Sequence, residues 1–208
     1  MIRTEHREST IAIPFVAYTP ENTEKKLPLI LQLHGAGERG SGQDDLKLVD
    51  VHGFSKLLDE KDYPCIVVMP QCPADSFWAA RVESILMLID QLKEHFCIDE
   101  DQIYLTGLSM GGFGTWYTAM AKPEIFAAIA PVCGGGMPWN AAVLNMPVWA
   151  FHGAEDSVVS PNHSDEMVAR LKEAGKDVTY TRKDGVGHNV WIYAYTDDLM
   201  QRLLSKHK

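Results

Sequence analysis

Short runs of apolar residues rich in β-branched types alternate along the chain with stretches whose apolar positions repeat at helical spacing. The first pattern predicts strands at Ile11–Tyr18, Leu29–His34, Cys65–Met69, Ile103–Gly107, Ala127–Val132, Val148–His152 and Val178–Arg182. Several of these are apolar throughout, as in a parallel sheet whose two faces are both covered. Helical spacing is clearest over Arg81–Phe96, where Ile85, Ile89, Leu92 and Phe96 share one stripe. A second helix is predicted from Pro161 to Ala174, with Ser160 at the N-cap, Pro161 in the first turn and Gly175 as the stop. The tail from Trp191 to Lys206 reads as a last helix. This alternation predicts an α/β protein, a three-layer sandwich with a mostly parallel sheet, in one domain over residues 1–208. In such sheets function gathers on the loops that leave the C-terminal ends of the strands.

Composition narrows the class without changing it. Hydrophobic residues make up 46% and charged residues 23% of the 208 positions, a globular balance with no disordered or repetitive stretch. The formal net charge of -9 argues against nucleic acid and anionic membrane surfaces as partners. No apolar run approaches the roughly 18 residues of a membrane span. The start, Met1-Ile-Arg-Thr-Glu-His6, lacks the basic and apolar regions of a secretory signal. That suggests a cytoplasmic protein if Met1 is the native start, and a secreted or periplasmic one if a signal has been removed. Cys65, Cys72, Cys97 and Cys133 show no C-x-x-C or zinc-like spacing and read as free thiols.

The chemistry begins after the Ile103–Gly107 strand. Gly107-Leu-Ser109-Met-Gly111-Gly112 is a G-x-S-x-G motif between a predicted strand and helix, the context of a nucleophile elbow. The turn is tight enough to strain the serine backbone and lift its hydroxyl off the sheet. A serine needs a base to take its proton. In an elbow fold the partners follow as Asp or Glu, then His. His152-Gly-Ala-Glu-Asp156 follows a later strand, and Gly185-Val-Gly-His188 follows the last one.

On these segments the chain resembles the phospholipase/carboxylesterase branch of the α/β-hydrolases. The matching pieces are Leu33-His-Gly-Ala-Gly-Glu-Arg-Gly40, Gly107 to Gly114, His152 to Asp156 and Gly185 to His188. The resemblance implies Ser109 as nucleophile, Asp156 as acid and His188 as base. It also implies an oxyanion hole from the backbone N–H groups of Met110 and Ala36, with Gly37 as the alternative to Ala36. No metal or cofactor is implied. The partner is a small-molecule ester.

Several residues have rival readings. Glu155 and Asp184 could each hold the imidazole in place of Asp156. His34 and His152 end strands and precede glycines, which suits structural polar roles, since both lie too early for the base. His6, His52, His95, His163 and His207 read as surface residues. Gly35-Ala-Gly37-Glu-Arg-Gly40 is literally G-x-G-x-x-G, with Asp59 or Glu60 about twenty residues on. However, Ser41-Gly-Gln-Asp lengthens the loop where a dinucleotide site would open its helix. Trp78 and Trp191 are candidate substrate-binding walls, as is Trp139, whereas Trp116 and Trp149 read as core.

The expected activity is hydrolysis of short-acyl or aryl esters, including acetyl or hydroxycinnamoyl groups on carbohydrate, through an acyl-enzyme. Phospholipase, thioesterase or peptidase chemistry on the same residues is the alternative, and a silent binding module the rival from another class. The short Gly134–Asn145 segment predicts a minimal cap and an open cleft.

Overall fold

The computed structural model describes residues 1–8, 10, 12–21 and 25–208. Eight strands form one sheet: β1 (Ile2–His6), β2 (Phe15–Thr19), β3 (Leu27–Leu33), β4 (Ile66–Pro70), β5 (Ile98–Leu108), β6 (Ala128–Val132), β7 (Val148–Gly153) and β8 (Val178–Lys183). Their order is β1-β2-β4-β3-β5-β6-β7-β8. From β4 onward across the sheet every pairing is parallel, while β1 and β2 join antiparallel at one edge.

Helices cover both faces, as the apolar strands require. On one face lie α2 (Val82–His95), α3 (Met110–Ala121) and α4 (Asn162–Glu173), and on the other α1 (Ser55–Glu60), α5 (Trp191–Ala194) and α6 (Asp197–Leu204). Alternation along β3 shows the reason: Leu29, Leu31 and Leu33 enter the first core and Ile30 the second. A strand buried on both sides has no polar face to give to water. The three-layer α/β-hydrolase sandwich expected from the sequence is the observed fold. No helix among the described residues is long and apolar enough to cross a membrane.

Some boundaries differ. The first predicted strand began at Ile11, which lies outside the described residues, and the observed strand is Phe15–Thr19. β1 was not predicted, because Ile-Arg-Thr-Glu-His is an exposed edge with little apolar signal. The C-terminal helix is broken. Tyr195 leaves helical geometry, and Thr196 caps α6 by accepting the Leu199 N–H at 3.4 Å. Ser160 is not the N-cap of α4, which begins after Pro161 with no side-chain cap.

Candidate active site

β5 delivers Ser109 to the C-terminal end of the sheet. The residue has φ 53° and ψ -116°, a left-handed backbone that a non-glycine residue adopts only under constraint. The constraint is the sharp reversal from β5 into α3. A Cβ on Gly107 would lie 2.4 Å from Gly111 O, and one on Gly111 would lie 2.0 Å from Leu33 O. Neither position has room for a side chain.

The loops after β7 and β8 bring the other two side chains. His188 Nε2 lies 2.9 Å from Ser109 Oγ, and His188 Nδ1 lies 2.7 Å from Asp156 Oδ2. Asp156 Oδ1 accepts the N–H groups of Val158 and Val159, both at 2.9 Å. The Asp156 side chain is 0% exposed and that of His188 19% exposed, so the carboxylate is enclosed and the imidazole reaches solvent. Burial alone would raise the Asp156 pKa. The His188 hydrogen bond and the two backbone donors outweigh it and hold the carboxyl below its ordinary value. Ser109, His188 and Asp156 therefore stand in one hydrogen-bonded line, whereas Glu155 and Asp184 point to solvent.

Met110 opens α3, so its N–H is among those a helix start leaves without an intrahelical partner. The His34–Gly35 turn lies beside Ser109, since a Cβ on Gly35 would be 3.8 Å from Ser109 Cβ. Ala36 opens the short 3₁₀ turn Ala36–Glu38 that follows, and Gly37 lies within it. Both candidate donors of the oxyanion loop are exposed at this edge.

The tryptophans divide. Trp191 stands edge-on to His188, with ring centres 5.4 Å apart, and packs on His52 at 5.3 Å. A recess of about 180 Å³ beside it is lined by His52, Lys56, Leu57 and Ile192. Trp78 does not form a wall. It is fully buried, and its Nε1–H donates to His34 O at 3.0 Å, so it braces the end of β3 from within. Trp139 is 82% exposed and flanks Glu166 and Arg170 of α4. Trp116 is core as expected, but Trp149 is only half-buried, with the Arg202 guanidinium 3.7 Å above its ring.

His52 was read as a surface residue, and its side chain is 38% exposed, but it also packs on Trp191 at the rim of the site. No local signal marked it, because its neighbour Trp191 comes from the other end of the chain. All four cysteines are free, and only Cys97 is exposed. Cys133 sits beside the site with φ 40°. Among the described residues, Cys133, Asp156 and His188 form the one cluster with the spacing of metal ligands. Burial pushes the Cys133 thiol up to about 12, so it stays protonated, and the other two are hydrogen-bonded to each other. The cluster is the Ser109 site and a thiol packed behind it.

A model of the phospholipase/carboxylesterase family matches residues 73–202. The chain belongs to that family. The match begins after the His34–Gly40 loop, so Ala36 lies outside it. The chain is similar to the bifunctional acetylxylan esterase/xylanase of Neocallimastix patriciarum, at 30% identity over 69% of this chain and 21% of that protein. It is also similar to poly(3-hydroxyalkanoate) depolymerase C of Paucimonas lemoignei, at 29% identity over 88% of this chain and 55% of that one. It thus spans about a fifth and about half of the length of these two relatives. The structure of a thermostable esterase superposes with TM-score 0.84 and 31% identity, covering 100% of this chain and 63% of that one.

Proposed function

We propose that the protein is a serine carboxylesterase acting on compact acyl or aryl esters, and that residues 1–208 work as a single α/β-hydrolase domain. The observation that carries this reading is the line Asp156–His188–Ser109, closed by hydrogen bonds of 2.7 and 2.9 Å on a strained serine. Ser109 Oγ attacks the ester carbonyl while His188 Nε2 takes its proton. Asp156 remains ionised, fixes the tautomer with the proton on Nδ1 and stabilises the imidazolium that forms. The carbonyl oxygen becomes an oxyanion held by the N–H groups of Met110 and Ala36. His188 then protonates the departing alcohol, and water activated by the same imidazole releases the acid.

The short segment between β6 and β7 holds only a 3₁₀ turn over Pro138–Val143, which leaves the cleft open and supports a preference for small acyl groups over long lipid chains. Trp191 offers a flat aromatic face beside His188, suited to a sugar or phenolic ring. The relative named for acetylxylan supports the acetyl end of the range.

The test is fluorophosphonate labelling with kcat/KM on p-nitrophenyl acetate, butyrate and dodecanoate, read beside sugar acetates and hydroxycinnamate esters. The protein should label on Ser109, and Ser109→Ala should fold normally and lose about a millionfold in kcat. A tenth of the activity surviving in Ser109→Ala would refute the nucleophile, and faster cleavage of dodecanoate than butyrate would refute the acyl preference.

A further inference from the structure

Beside Asp156, at the same carboxylate oxygen that His188 meets, lies a second imidazole. His152 ends β7, is fully buried, and has Nε2 3.2 Å from Asp156 Oδ2 and 3.0 Å from Val159 O. Both neighbours of that nitrogen are acceptors, so Nε2 carries a proton. Nδ1 lies 2.7 Å from Ser164 Oγ of α4, and the same oxygen lies 2.8 Å from Gly134 O. We propose that His152 is a positioning residue of the site: its Nε2–H bonds Val159 O and so holds the loop whose Val158 and Val159 N–H groups fix Asp156, while Ser164 lies against the other side of the ring.

The hydrogen-bond inventory carries the argument. Asp156 Oδ1 is filled by the N–H groups of Val158 and Val159. Oδ2 faces His188 Nδ1 and His152 Nε2. Without His152, Val159 O loses its donor, and the loop that presents the Val158 and Val159 N–H groups to Oδ1 loses its tie to β7. A buried acceptor that loses a donor also bears its desolvation cost. The position is thus a link through which β7 and α4 set the orientation of a loop residue.

The charged and titratable groups around His152 come from four elements. Asp156 is on its own loop, Asp165 neighbours Ser164 on α4, and Cys133 lies next to Asp156 at the end of β6. Arg182, its register partner on β8, is 3.4 Å from Asp165. His188 meets the same carboxylate oxygen of Asp156. Burial, the largest influence, holds His152 below the ordinary histidine range against the pull of Val159 O and Asp156, which keeps it a neutral donor near pH 7.

The inference rests on the proposed esterase reading, and the test separates the two. In the full chain, His152→Leu, His152→Gln and Ser164→Ala are compared by kcat and KM on p-nitrophenyl acetate per labelled active site, and by the low-field proton resonance of the His188–Asp156 hydrogen bond. His152→Leu should lower kcat about ten- to hundredfold, by analogy with residues that orient metal ligands. KM should stay within about twofold, and the low-field resonance should shift or broaden. His152→Gln, whose amide N–H reaches the place of Nε2, should recover most of the loss. If His152→Leu fails to fold, the Gln and Ser164→Ala variants carry the test, with smaller changes in the same direction. Folded variants with wild-type kcat and resonance would overturn the proposal. A wild type that neither labels nor cleaves esters would instead sink the esterase reading, and the resonance would still judge His152.

Discussion

At the end of β3, His34 makes its hydrogen bonds to backbone, with the Glu38 carboxylate 3.8 Å from Nδ1. Its Nδ1–H donates to Gly35 O at 2.5 Å, and its Nε2 accepts the Cys72 N–H at 2.9 Å. At the end of β7, His152 is equally buried but faces a carboxylate and a hydroxyl. In both places an apolar strand runs into His-Gly, and each pair stands next to one half of the site. The His34 end carries the proposed oxyanion loop, and the His152 end carries the proposed acid. The difference lies in what folds back onto the ring. For His34 it is the loop after β4, which brings the Cys72 amide and the Trp78 indole. For His152 it is its own loop, which places Asp156 one helical turn along the chain against it. Two strand ends with one sequence pattern thus brace the proposed oxyanion loop in one case and the loop of the proposed acid in the other.

Breaking the acid half should cost more than breaking the oxyanion half. Asp156→Asn is expected to lower kcat by about 10⁴, on the precedent of the serine-protease triad, while Glu155→Gln and Asp184→Asn stay within about tenfold. Steady-state kinetics on p-nitrophenyl acetate decides it, and a larger loss for Asp184→Asn than for Asp156→Asn would make Asp184 the acid. On the oxyanion side, Ala36→Pro removes the N–H without touching a side chain of the triad. The expected loss is about 10² to 10³ in kcat, the usual effect of one oxyanion donor, with fluorophosphonate labelling slowed but not abolished. Unchanged kcat in a folded Ala36→Pro protein would pass the role to Gly37.

The legible parts of this site were those set by local geometry. Gly107, Ser109 and Gly111 announce the elbow because a turn that tight excludes side chains at fixed positions. Asp156 was preferred over Glu155 on the resemblance, whose His-Gly-x-x-Asp pattern it matches, and the fold buries Asp156 and leaves Glu155 exposed. Trp78 was misread for the opposite reason. Whether an aromatic residue after a strand turns outward or inward depends on what lies across the sheet, here His34 O from β3. The contacts of His52 with Trp191, and of His152 with Ser164, likewise join segments that no short window contains. The break before α6 was within reach, since Thr196-Asp197-Asp198 is an N-cap followed by acidic first-turn residues.

The smallest expected effect sharpens the comparison through acid stability. Burial holds the His34 pKa at about 4, against 6.5 for a free histidine, and the hydrogen bond to Gly35 O only partly offsets it. The unfolded chain therefore binds a proton at this residue between those two values while the native protein does not. Stability from His34 is complete above pH 6.5 and is lost as pH falls toward the native value, because protonation then favours the unfolded chain. Between pH 7 and 4.5 the loss is about 2 kcal/mol. His152, also held low by burial, contributes in the same direction, but its ring has Asp156 at 3.2 Å to receive a charge, whereas the Glu38 carboxylate beside His34 stands 3.8 Å away. Urea denaturation at the two pH values should give a steep dependence in the wild type. It should be flatter by about 2 kcal/mol in His34→Gln, whose stability at pH 7 is lower because a buried ring is lost. An equal slope in wild type and His34→Gln would show that the ring at the end of β3 does not resist protonation, and the contrast between the two histidines would then rest on their partners alone.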